Sequence, residues 1–169
     1  SQPGLGFFPD ICLQWEAEAA RAANLDIRSL QARFGIILSH HGGALAKMLT
    51  PFKSGVGGPI GSGKQYQSWI HLDDAIYALY FLMINEQISG PVNLVTPNPV
   101  TQLEFAKTLG HVLSRPALMP LPEFVVKTLF GEMGENLLLA STKVMPQQLI
   151  NQGFEFKFPT LEEAFNFEL

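Results

Sequence analysis

The chain has 169 residues, 47% of them apolar and 15% charged, with a net charge of −4. That length suits one domain with a real core, and that composition excludes a disordered chain. With 11 basic against 15 acidic residues and no run of Lys or Arg, neither nucleic acid nor an anionic membrane is expected as a main partner.

From Asp10 to about Ala23, DICLQWEAEAARAA reads as a surface helix, with Pro9 at its boundary and Asp10 as its N-cap. LDIRSLQARFGIILS (25–39) alternates and then runs apolar, as a strand buried on both faces does. HHGG is a loop, and ALAKMLTPF a short helix ending near Pro51. Ser62-Gly63 suits the turn of a β-hairpin between GGPIG and the strand-like KQYQSWI.

Next comes the helix around AIYALYFLMI (75–84), apolar nearly all round and expected to be buried on most of its circumference, with Asp73 and Asp74 in its first turn. At ten residues this apolar run is half of the roughly 20 needed to span a bilayer. PVNLV (91–95) reads as a buried strand. Thr101 with Glu104, and Thr160 with Glu163, have capping-box spacing at the starts of two helices. Between those two helices, PEFVVKTLF (122–130), GENLLLAS (134–141) and VMPQQLINQG, closed by Gly153, read as helical, and FEFKF as an alternating strand. The order is α/β leading into a mostly helical region.

Several residues invite a chemical reading. Gly58 to Lys64 has the spacing of a phosphate-binding loop, but that loop requires Ser or Thr next, a strand before and a helix after. Gln65 is a poor magnesium ligand and QYQSWIH is strand-like, so a turn is the better reading. His71-x-Asp73 with His111 could supply a non-haem iron set, yet Asp73 has a capping role and no metal site is expected. His40-His41 reads as a polar rim, Cys12 as a packed, unreactive thiol, and Trp15 and Trp69 as core. A lone cysteine makes no internal disulfide, which points to a reducing, cytoplasmic setting. No basic stretch precedes an apolar one at the start, and the first residue is Ser rather than Met. The chain is therefore expected to be a piece of a larger protein.

LQARFGIILS, GSGKQYQSWIHLDDAIYAL and GPVNLVTPNPVTQLEFAKTLGHVL together resemble the second half of an extended (atypical) short-chain dehydrogenase/reductase. More narrowly they are similar to its sugar-nucleotide epimerase-like, or cell-division-inhibitor-like, branch. The segment from Arg115 to Phe165 resembles that branch's C-terminal domain of unassigned function. The resemblance implies the C-terminal part of an NAD(P)-binding Rossmann-like fold followed by a mostly helical substrate-side domain. Its divisions would be 1–40 (last helix and strand of the Rossmann-like part), 41–115 (substrate-side region) and 116–169 (small C-terminal domain).

By the same resemblance, a parent protein would bind NAD or NADP through an N-terminal Rossmann half. No strand followed by the glycine-rich phosphate turn stands in this chain, so it is expected to bind no cofactor alone. Members of the family carry Tyr-x-x-x-Lys, with Glu four residues later, on the first helix. Anchoring on Glu16 puts Phe8 and Cys12 at those positions, and neither can do that proton-transfer work; no catalytic residue is assigned. The arginine that grips the nucleotide diphosphate in sugar-nucleotide epimerases is replaced by the neutral Gln67.

What the resemblance leaves is a pocket: Arg33 and Gly35 toward the cofactor, and Gly42, Gly43, Lys47 and Gln67 toward a small-molecule substrate. The expected partners are that substrate, the N-terminal Rossmann half and a second copy of the chain, through an exposed apolar strand edge. The reading is the substrate-binding half of an NAD(P)-dependent epimerase or oxidoreductase-like protein. The alternative is a non-catalytic ligand-sensing or protein-interaction module derived from that fold.

Overall fold

A computed structural model of the chain describes residues 7–120 and 139–169. Helix α1 spans Phe7–Ala20 and continues as a 3-10 turn over Arg21–Leu25. It starts ahead of Pro9, so Asp10 lies in its first turn and is not its cap. Proline is tolerated there because the first N–H groups of a helix have no internal acceptor.

The segment expected as one strand is two, β1 (Leu30–Phe34) and β2 (Ile36–Leu38). β1 pairs in parallel with β5 (Gly90–Leu94), and β2 in parallel with β4 (Trp69–His71). The hand-over happens at Gly35: its N–H donates to the Leu94 carbonyl, and the next N–H, of Ile36, donates to that of Ser68. A Cβ at Gly35 would lie 2.5 Å from the Ser68 oxygen, so only glycine allows the two backbones to approach this closely.

Helix α2 (Gly43–Lys53) connects β2 toward β3 (Tyr66–Gln67) and β4, and it runs past Pro51 rather than ending there. The expected hairpin is not what forms. A turn closes from the Ile60 carbonyl to the Gly63 N–H, with Gly61 at φ +57 as its first central residue, one position earlier than expected. β3 then pairs antiparallel with β6 (Val100–Thr101), not with the strand before the turn. The strand expected over KQYQSWI is itself broken at Ser68, between β3 and β4.

Helix α3 (Leu72–Ile84) crosses from β4 to β5, and α4 (Gln102–Val112) follows β6. Helix α5 (Gln147–Asn151) is closed by Gly153 at φ +75, and α6 (Leu161–Glu168) comes last. Both capping boxes form as their spacing predicts. The helix expected over 122–130 lies outside the described residues, as does most of that over 134–141.

Side chains alternate across the β2–β4 pair, as strand geometry requires. Ile36, Leu38 and Trp69 face one apolar cluster with Leu45, Phe52, Phe105 and Phe165. Ile37 and Ile70 face a second, with Ala78, Leu82, Val92 and Leu149.

Helix α3 is buried only through Asp74, Ala75, Ala78 and Leu82, while Ile76, Tyr77, Tyr80, Met83 and Ile84 are exposed. This corrects the expectation of burial nearly all round. Trp69 is core, whereas Trp15 is 72% exposed, and Cys12 is exposed as well. FEFKF forms no strand; Phe154, Phe156 and Phe158 still turn inward in alternation. The reason is a carboxylate: buried Asp74 accepts the backbone N–H groups of Lys157 and Phe158 at 2.8 and 3.0 Å, where a strand partner would sit.

Candidate functional site

In open α/β sheets, ligands bind beyond the carboxyl ends of parallel strands. Here that edge is built by β2 and β4, whose ends carry His40 and His71. The loop His40–Gly43 leads into α2. Gly42 is the N-cap of α2 with no side-chain capping bond, and a Cβ there would meet nothing within 4 Å. Gly43 stands at φ +67, a conformation that favours glycine. Lys47 lies one turn further along α2 and is exposed. Gly42, Gly43 and Lys47 therefore share one rim.

The other expected site residues lie elsewhere. Gln67 is buried on β3, opposite Val100 in the ladder. Arg33, on β1, makes a two-pronged ion pair with Glu16 of α1, Nε to Oε1 at 2.6 Å and Nη2 to Oε2 at 2.5 Å. That pairing lowers the Glu16 carboxyl and raises the Arg33 guanidinium, against the smaller opposing effect of burial. Gly35 is committed to the strand hand-over. The structure thus brings Arg33 to the helix that carries positions 8, 12 and 16, and the two glycines with Lys47 to the β2 edge.

His71 does two jobs at the end of β4. Its Nδ1 accepts the Asp73 N–H at 3.1 Å, so His71, not Asp73, caps α3. The ring is buried between Phe158 and Phe167, with centroids 4.1 and 5.6 Å away. Burial pushes its pKa down, only partly offset by Asp73, Glu168 and Asp74. Asp73 instead pairs with Lys157 at 3.1 Å.

Glu168, at the end of α6, is the residue that sequence reasoning missed. It is 128 positions from His40, whose backbone N–H donates to Oε2 at 2.8 Å and whose Nδ1 contacts the same oxygen. Its Oε1 lies 3.2 Å from His71 Nε2, off line for a full hydrogen bond. Burial pushes the Glu168 carboxyl up, but the His40 N–H, the His40 ring and His71 together outweigh it and hold it low. Among the described residues, no group of three or more His, Cys, Asp or Glu side chains could hold a metal ion.

The parallel β2–α2–β4 and β4–α3–β5 crossings, with helices on both faces, define the C-terminal part of an NAD(P)-binding Rossmann-like fold. Residues 121–167 match the family described as "Domain of unknown function (DUF1731)". The chain is 41% identical over 164 residues to the chloroplastic epimerase family protein SDR39U1 homolog of Arabidopsis thaliana, covering 97% of this chain and 47% of that protein.

Among solved structures, human epimerase family protein SDR39U1 (isoform 2) with NADPH superposes with a TM-score of 0.88 at 35% identity, over 99% of this chain and 61% of that one. A nucleoside-diphosphate sugar epimerase from Corynebacterium glutamicum gives 0.78 at 31% identity, over 100% of this chain and 32% of that one. The chain spans about half the length of the curated relatives it matches. It corresponds to the C-terminal half of an epimerase-family protein of the extended, atypical short-chain dehydrogenase/reductase type.

Proposed function

We propose that this chain supplies the substrate-side half of an NAD(P)-dependent epimerase or oxidoreductase-like protein and is not catalytic by itself. The observation that carries the reading is the Glu16–Arg33 pair. It docks on β1 the helix whose preceding turns hold Cys12 and Phe8, where the resembled family has its lysine and tyrosine. The Arg33 charge is engaged by Glu16 rather than offered to a ligand, and Cys12 and Phe8 provide no ammonium and no phenol. Buried, neutral Gln67 likewise cannot grip a diphosphate as an arginine would. The exposed rim of Gly42, Gly43 and Lys47 is the part of the pocket we assign to the substrate.

NADPH in the human relative's structure supports cofactor use in the whole protein. The test is a fluorescence titration of the full-length gene product with NADPH and with NADH. Saturable binding of at least one is expected, and binding of neither overturns the reading. In that event the second reading, a ligand-sensing or interaction module, stands on the exposed apolar face of α3.

A further inference from the structure

His40, just beyond the carboxyl end of β2, is held by a carboxylate from the far end of the chain. The Glu168 side chain is only 7% exposed, while that of His40 is 43% exposed. Three nitrogen atoms lie around the two carboxylate oxygens. The His40 backbone N–H (2.8 Å) and ring Nδ1 meet Oε2, and His71 Nε2 lies 3.2 Å from Oε1.

The proton positions follow from the partners. His71 Nδ1 accepts the Asp73 N–H, so the proton of the neutral His71 ring is on Nε2, near the carboxylate but off line for a hydrogen bond to it. An ionised carboxylate only accepts, so His40 Nδ1 must carry a proton. In the neutral ring the lone pair then falls on the remaining nitrogen of His40, Nε2, and the ring lies tilted against that of His41 with centroids 3.7 Å apart. Around the pair, Asp73 and Asp74 face His71, and Lys157 Nζ lies over the Phe158 and Phe167 rings at 4.8 and 4.4 Å.

We propose that His40 and Glu168 form a proton-transfer site, with His40 Nε2 as the acceptor of a proton from a hydroxyl or activated C–H of a small molecule bound beyond β2 and β4. Glu168 is the positioning residue. The proton leaves the substrate oxygen or carbon for Nε2, giving an imidazolium whose Nδ1–H stays on the carboxylate. It returns from Nε2 to the product, so the pair ends unchanged and carries no electrons. A buried carboxylate that fixes one ring nitrogen makes the other a defined base, and such a group contributes about 10²–10⁴-fold in rate. The inference rests on the proposed function, in which any oxidation or reduction belongs to NAD(P), and it fills the role that Phe8 and Cys12 leave empty.

Two measurements on the 169-residue chain test it. Long-range ¹H–¹⁵N spectra read the tautomer, and diethyl pyrocarbonate labelling followed by peptide mass spectrometry reads the nucleophilicity of Nε2. His40 is expected in the Nδ1–H form and acylated several-fold faster than His41, its exposed neighbour. Glu168→Gln should bring His40 down to the rate of His41, and His40→Gln should remove the adduct. An Nε2–H tautomer in the unsubstituted chain, or labelling no faster than at His41, overturns the proposal whether or not Glu168→Gln folds. Failure of NADPH and NADH to bind the full-length product would instead remove the proposed function while leaving the tautomer as found, so the two failures are distinguishable.

Discussion

Asp74 shows how one side chain sets both stability and local form. It is 1% exposed, and its carboxylate takes two backbone N–H groups from the 157–158 segment. Asp74→Ala strands both donors and should cost about 3 kcal/mol, against about 1–2 kcal/mol for Asp74→Asn, which keeps one acceptor. Urea denaturation of the two variants measures the difference. Acid should act through both His71 and Glu168, whose effects begin at different pH values. Burial lowers the folded pKa of His71 below its ordinary 6.5, so the unfolded chain binds the proton first. Stability therefore falls as pH drops through 6.5 and keeps falling toward the folded value. The folded pKa of Glu168 is also held low, so its contribution, present above its ordinary 4.5, is lost as pH drops below that value. His71→Asn retains a capping side chain and should erase the upper part of the fall in a plot of urea midpoint against pH, while Glu168→Gln should erase the lower. A midpoint that does not change with pH between neutrality and 5 would refute the His71 assignment.

Among the elements, the two glycines that share a predicted pocket have different work to do. Gly35→Ala would drive a Cβ to 2.5 Å from the Ser68 oxygen and 2.8 Å from Val95, at the point where β1 passes into β2. That should cost about 2–4 kcal/mol, through overpacking against a backbone that cannot yield. Gly42 has extended backbone at φ −176 and nothing within 4 Å, so Gly42→Ala should stay within about 0.5 kcal/mol. Thermal unfolding of the two variants makes the contrast, and equal losses would contradict it. These elements also show what the sequence could and could not disclose. The capping boxes at Thr101 and Thr160 were legible because both partners lie within four residues. The hand-over at Gly35 was not, since it depends on Leu94 and Ser68, which are distant in sequence. Glu168 was hidden for the same reason, and FEFKF kept its alternation of side chains while Asp74 took the backbone bonds of a strand. The family itself was readable from long local motifs such as SWIHLDD, whereas site geometry depended on contacts that no local pattern encodes.

For the whole molecule, the apolar residues misjudged as core indicate what the chain is built to meet. Tyr80 is 61% exposed and Met83 68%, with Ile76, Tyr77 and Ile84 beside them on α3. Trp15 and Leu13 are exposed on α1. Among the described residues β1 pairs only with β5, which leaves its other edge without a strand. An exposed apolar helix face together with an open edge of a parallel sheet is unusual for a surface facing only water. In isolation the 169-residue chain should therefore self-associate as its concentration rises, and sedimentation velocity should show the shift. Replacing Tyr80 and Met83 together by Glu should reduce association without lowering stability by more than about 0.5 kcal/mol, since both side chains lie mostly in solvent. If the double variant associates as strongly as the unsubstituted chain, the contact surface is not α3, and the open edge of β1 is the next candidate. If the unsubstituted chain stays monomeric throughout, neither surface drives association.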